Sequence, residues 1–254
     1  MSALLTGAAA LAGAAVGYGC GALGVYFERV ERLEAEEIAE RDEFLEDQRR
    51  QAARTTEEGG PVPPGVEWRG ERYGFTWLER VVAPALGALG FAAFAAHDGI
   101  SLELGIHLLW VSVFLHITIF DLKHRLILNR VTYVAIPVAI GLAPLTPGLT
   151  LRNAVVGAGL VYLFFMLQSL LLGGSVLGMG DAKLGAIVGA VTGIGTDLDH
   201  LGAVYALIAA ALSAGVVALI LLATRVRGLR DPIPYGPFLC AGAALIMYHG
   251  PAGP

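Results

Sequence analysis

The sequence predicts an all-α, polytopic membrane protein of about eight transmembrane helices, with a charged cytoplasmic helix and loop after the first. Three observations predict it. The 254 residues are 56% hydrophobic, with a mean hydropathy of +0.66, whereas soluble domains are roughly 45–50% apolar. Uncharged runs approach or reach the roughly 20 residues that a spanning helix needs. The basic residues fall almost entirely on alternate connections between those runs, as the positive-inside rule requires.

Residues 3–27 are apolar and rich in Ala and Gly. No Lys or Arg lies between Met1 and Phe27, so the basic start of a signal peptide is missing. The run reads as the first transmembrane helix, kept in the mature chain. Residues 28–54 change character at once, with Glu28, Arg29, Glu31, Arg32, Glu34, Glu36 and Glu37 in close succession. Residues 28–58 hold 12 of the 22 acids. Val30, Leu33, Ile38, Phe44 and Leu45 give only a thin apolar stripe, which fits a charged helix in water that continues the first span. A solvated extension is the ordinary reading; a docking surface is the alternative. Gly59-Gly60-Pro61 and Pro63-Pro64-Gly65 make residues 55–75 a loop, and Trp68, Tyr73 and Trp77 approach the next span as interfacial aromatics do. The predicted division is a first helix at 1–27, a cytoplasmic segment at 28–78 and a seven-helix membrane domain at 79–254.

The seven further spans fall near 79–97, 102–120, 131–146, 152–172, 183–195, 201–223 and 235–249. Pro137 and Pro144 predict a kink in the third of these. In the span near 183–195, Gly185, Gly189 and Gly193 recur every four residues, on one face where a neighbouring helix can come close. If segment 28–78 is cytoplasmic, 16 of the 17 Lys and Arg lie inside and only Arg152 outside. The N-terminus is then outside. No basic face of the kind that binds nucleic acid is present. Cys20 and Cys240 both lie in apolar segments and offer neither a disulfide framework nor a four-ligand zinc site, so no metal is expected.

Asp98, Glu103, Asp197 and Asp199 fall at the outer ends, where solvation is simple. Glu79 borders Arg80 and the loop, and Asp231 neighbours Arg230; both settings are ordinary. His107 and His116 read as structural, although His116 could approach Asp121, and His97, His200 and His249 read as solvated. Asp121 and Asp181 differ. Both end apolar segments on the inner side, and an acid beside the membrane core marks a functional site by default. Asp181 closes the run Gly178-Met179-Gly180-Asp181 at a predicted helix start, which favours negative charge. Two carboxylates brought close cannot both ionise easily, so they share a proton. One can then act as base toward water and the other as acid toward a carbonyl oxygen. Residue chemistry alone also allows two interfacial acids paired with Lys123 and Lys183, or a proton or ion relay.

Three blocks carry a resemblance. They are Phe120-Asp121-Leu122-Lys123-His124-Arg125-Leu126-Ile127-Leu128-Asn129, then Gly178-Met179-Gly180-Asp181-Ala182-Lys183-Leu184, then Ile233-Pro234-Tyr235-Gly236-Pro237-Phe238-Leu239. In this order the chain resembles the type IV prepilin peptidases, of the Gly-x-Gly-Asp intramembrane aspartyl protease class. The likeness covers residues 79–249 best. It implies that Asp121 and Asp181 are the catalytic aspartates, with Gly178, Gly180 and Lys183 in support. It implies a multi-pass protein of a prokaryotic inner membrane, with prepilins or pseudopilins as substrates cut at the cytoplasmic face. Proteolysis needs no cofactor; many members also methylate the new N-terminus from S-adenosylmethionine. Two departures stand out. Leu128 takes the place of a common Pro, and the first cytoplasmic loop lacks the two Cys-x-x-Cys pairs of a zinc module. Outside this family, the alternatives are a Gly-x-Gly-Asp protease with other substrates and a non-enzymatic transporter or scaffold.

Overall fold

The computed structural model of the chain describes residues 2–54, 76–171, 178–195, 201–224 and 233–250, and the side chains of residues 3–32 within the first of these. The described residues form eight α-helices and no strand: α1 Ser2–Arg54, α2 Ala83–Asp98, α3 Leu102–His124, α4 Asn129–Leu142, α5 Leu151–Leu171, α6 Met179–Thr192, α7 Gly202–Ala223 and α8 Gly236–His249. Each coincides with one expected span. The chain is an all-α polytopic membrane protein.

Among the described residues, five helices are long and apolar enough to cross a bilayer: Ala3–Arg32 within α1, Leu78–Asp98, Leu102–His124, Leu151–Leu171 and Gly202–Ala223. α4, α6 and α8 are shorter. The reason is clearest for α6, where every residue from Leu184 to Val191 is buried. α6 packs against α4, α5, α7 and α8, so it is sheathed in protein and need not match the lipid thickness. A helix that is apolar all round belongs in such a core. α7 is the opposite case: Leu212 and Leu219 are exposed, a surface suited to acyl chains.

The glycine spacing in α6 works as expected. A Cβ on Gly189 would collide with the backbone of Gly157 in α5, and one on Gly185 would lie 2.6 Å from Phe165. α5 and α6 thus pack backbone to backbone. α4 runs on through Pro137, and Pro144 falls in a 3₁₀ turn, Ala143–Leu145, that closes it. α1 is continuous through residue 54, as the charged pattern implied. Trp77 is exposed at the start of the second span; Trp68 and Tyr73 lie outside the described residues, as do Asp197, Asp199, His200 and Asp231.

Three charged residues differ from expectation. The Asp98 side chain is only 2% exposed and pairs with His97 Nδ1 at 2.8 Å and His107 Nδ1 at 2.6 Å. Glu79 is 2% exposed, and Glu28, the first residue of the charged stretch, is 5% exposed. Position near a helix end suggested water for each. Packing from neighbouring helices instead covers them and supplies partners, without which burial of charge is costly.

Candidate active site

Asp121 lies in the last turn of α3. The turn closes at Arg125, which adopts a left-handed conformation (φ 54°) and donates its N–H to the Asp121 carbonyl at 2.8 Å. This is the αL stop common at helix C-termini. The chain then turns through Ile127 and Leu128 into α4. Asp121 is 4% exposed, and its Oδ2 accepts the Gly236 N–H at 3.1 Å. Gly236 begins α8 behind Pro234 and Tyr235. A Cβ there would lie 2.6 Å from Oδ2, so only glycine lets the amide come this close.

Asp181 is the third residue of α6. Its Oδ2 accepts the N–H of Gly178 at 3.2 Å, and its own N–H donates to the Gly178 carbonyl at 3.0 Å. The carboxylate thus reaches back over the start of its helix, which satisfies an amide that the helix leaves without a partner. Positive dipole potential at that end favours its charge. Gly180 presses on Ile127, whose Cβ would be 3.1 Å from an added Cβ. Lys183 donates to Asn129 Oδ1 at 2.6 Å and to Tyr133 Oη at 3.1 Å, and lies 4.6 Å from the centre of the Tyr133 ring. It ties α6 to α4 instead of pairing with Asp181.

The segments that carry the two aspartates are brought together: Gly180, beside Asp181, presses on Ile127, Lys183 reaches Asn129, and Gly236 bonds Asp121. The three sequence blocks therefore meet in one place, although the third lies far along the chain. Beside Tyr235 a cavity of about 640 Å³ opens between α5 and α7, lined by Leu160, Phe164, Phe165, Leu207 and Ile208. Few polar groups interrupt it, as in most pockets that accept apolar ligands.

His116 does not join the site. Its Nδ1 donates to the Cys20 carbonyl at 3.3 Å, on the α1 side. The residues that sequence reasoning missed are Gly236, as the amide partner of Asp121, and a buried cluster of Glu28, Glu79 and Lys123. Gly236 stood inside a quoted block, and Glu79 stood as an acid at the mouth of an apolar span, but neither signal names a partner.

Residues 108–224, which contain both aspartates, match the family described as the type IV leader peptidase family. A prepilin leader peptidase/N-methyltransferase of Bacillus subtilis (strain 168) is 30% identical over 163 residues, 63% of this chain and 62% of that protein. Two proteins of the same name, from Burkholderia pseudomallei strains 1026b and K96243, are each 40% identical over 105 residues, 40% of this chain and 32% of theirs. The matched region thus spans less than two thirds of each relative. No solved structure matches the chain. The segment 108–224, which carries both aspartates, is thus similar to the type IV leader peptidase family.

Proposed function

We propose that this protein is a membrane-embedded aspartyl endopeptidase. It removes the leader of type IV prepilins, or of pilin-like secretion subunits, at the cytoplasmic membrane face. One observation carries the reading. Two acids from separate apolar helices stand on segments that touch at the same end of the bundle, through Gly180 on Ile127 and Lys183 on Asn129, with one acid held by a backbone amide.

In this mechanism one carboxylate takes a proton from water, and the water oxygen bonds to the scissile carbonyl carbon. The other carboxyl gives its proton to the carbonyl oxygen. The tetrahedral intermediate then collapses: the C–N bond breaks, the leaving nitrogen takes a proton from the first carboxyl, and the second regains one from the diol. The pair ends with the single proton it began with, as general acid–base chemistry between two carboxyls requires. Gly178 keeps a side chain away from the path of an extended substrate, and Gly180 lets α6 close on Ile127. Lys183 holds α6 against α4. The cavity beside Tyr235 takes an apolar part of the substrate. The cytoplasmic placement is supported by the charge pattern, in which Arg125, Arg130 and Lys183 fall on the same alternate connections as segment 28–78.

The test is cleavage of a pilin precursor by the purified full chain, with mass spectrometry of the product N-terminus. Wild type should cleave, and Asp121→Asn and Asp181→Asn should not. The mass also reads methylation: with S-adenosylmethionine present, one added methyl group on the product would extend the activity to N-methyl transfer. Full cleavage by either variant would overturn the aspartyl reading. Uptake of protons into liposomes without any proteolysis would favour a relay instead.

A further inference from the structure

The last turn of α3 is gripped from two sides. One side carries Asp121, facing Gly236 of α8. Two residues on, roughly 200° around a helix of 3.6 residues per turn, stands Lys123. Its side chain is 1% exposed. Its Nζ is bonded to Glu28 Oε1 of α1 and lies 2.8 Å from Glu79 Oε1, in the wide turn Leu78–Val82 that precedes α2. The Glu28 and Glu79 side chains are 3% and 2% exposed. His124 Nε2 adds a second contact to Glu28 Oε1 at 2.8 Å, and Thr76 gives both its N–H, at 2.8 Å, and its hydroxyl to Glu79 Oε2.

Well-packed apolar side chains often join helices as strongly as a buried ion cluster does. What a hydrogen-bonded cluster adds is direction. An apolar contact tolerates a helix that turns by some degrees about its axis, whereas these bonds do not. The two grips are complementary, because a rotation that frees Lys123 also swings Asp121 away from the Gly236 amide.

We propose that Lys123 is a positioning residue for Asp121. By binding α1 and the turn before α2 together, it fixes the rotation of the last turn of α3 and so aims the carboxylate at Gly236. The kinetic consequence rests on the aspartyl peptidase reading; the positioning itself does not.

The test reads hydrogen exchange at the Gly236 amide in detergent micelles by fragmentation mass spectrometry, alongside cleavage kinetics. The full-length variants are Lys123→Met, Lys123→Arg and Glu79→Gln. In Lys123→Met the Gly236 amide should exchange at least about tenfold faster, with helix amides of α5 unchanged, because the opening is local. The kcat should fall on the order of tenfold to a hundredfold at nearly unchanged KM, the effect of a small misplacement of a reacting group. Lys123→Arg should restore most of both. A folded Lys123→Met protein whose Gly236 amide stays as slow as wild type would overturn the proposal, as would a kcat loss that merely follows the unfolded fraction. If Lys123→Met does not fold, Glu79→Gln, which keeps the Lys123–Glu28 pair, decides by the same comparison. If wild type cleaves no precursor, the peptidase reading falls, and exchange at Gly236 still decides the positioning.

Discussion

The Gly236 amide donates to Asp121 Oδ2 at 3.1 Å across 115 residues of sequence. This bond links the first and third sequence blocks and gives the C-terminal glycine a physical duty. A methyl group at Gly236 would stand 2.6 Å from the carboxylate oxygen, well inside contact distance. Gly236→Ala should therefore displace Asp121 and lower kcat on the order of a hundredfold, with the protein still inserted. Cleavage kinetics of the purified variant check this; wild-type kcat would refute it.

The aspartate pair predicts a loss set by acid–base chemistry. Asp121→Asn and Asp181→Asn should each reduce cleavage by about 10²–10⁴-fold, the usual range for a positioned general acid or base. The double variant should be little worse than either single one, because the two act as a unit. Single-turnover rates on a pilin precursor measure both effects.

The pH profile follows from the same mechanism. One carboxyl must be ionised and the other protonated, so kcat/KM should rise and then fall with pH. At low pH both are protonated and no base remains. At high pH both are ionised and no acid remains. A profile that stays flat from acid to alkaline pH would exclude a shared proton.

At the opposite end of α3, the Asp98–His107 pair predicts stability without catalysis. His107→Ala leaves one buried Asp98 oxygen without its ring partner, at a cost of about 1–3 kcal/mol. Thermal unfolding in detergent should shift down while kcat at low temperature stays near wild type. A large kcat loss in folded protein would show that this end is coupled to the site.

The α5–α6 contact predicts a steric effect. Gly189→Val places a branched side chain against the Gly157 backbone. Overpacking of this kind costs about 1–3 kcal/mol or more. The melting temperature should fall, and activity should fall with it, because α6 carries Asp181. A variant as stable as wild type would mean that the two helices can separate.

The sequence by itself determined the fold class and singled out the two aspartates as candidates. Hydropathy is a local sum, so eight apolar stretches could be read along the chain, and each became a helix. The four-residue glycine spacing from Gly185 predicted close packing for the same reason, since helix geometry is local too. The fates of Glu28, Glu79 and Asp98 were decided only by tertiary structure. A charge at a helix end looks the same in sequence whether it meets water or a partner from another helix. Whether it is buried depends on which helices pack there. The same holds for Lys123, a partner for Asp121 by sequence that points instead to α1 and the turn before α2. The contacts of Asp121 with Gly236 and of Gly180 with Ile127 also belong to the tertiary structure, because no local rule brings α3, α6 and α8 to one point.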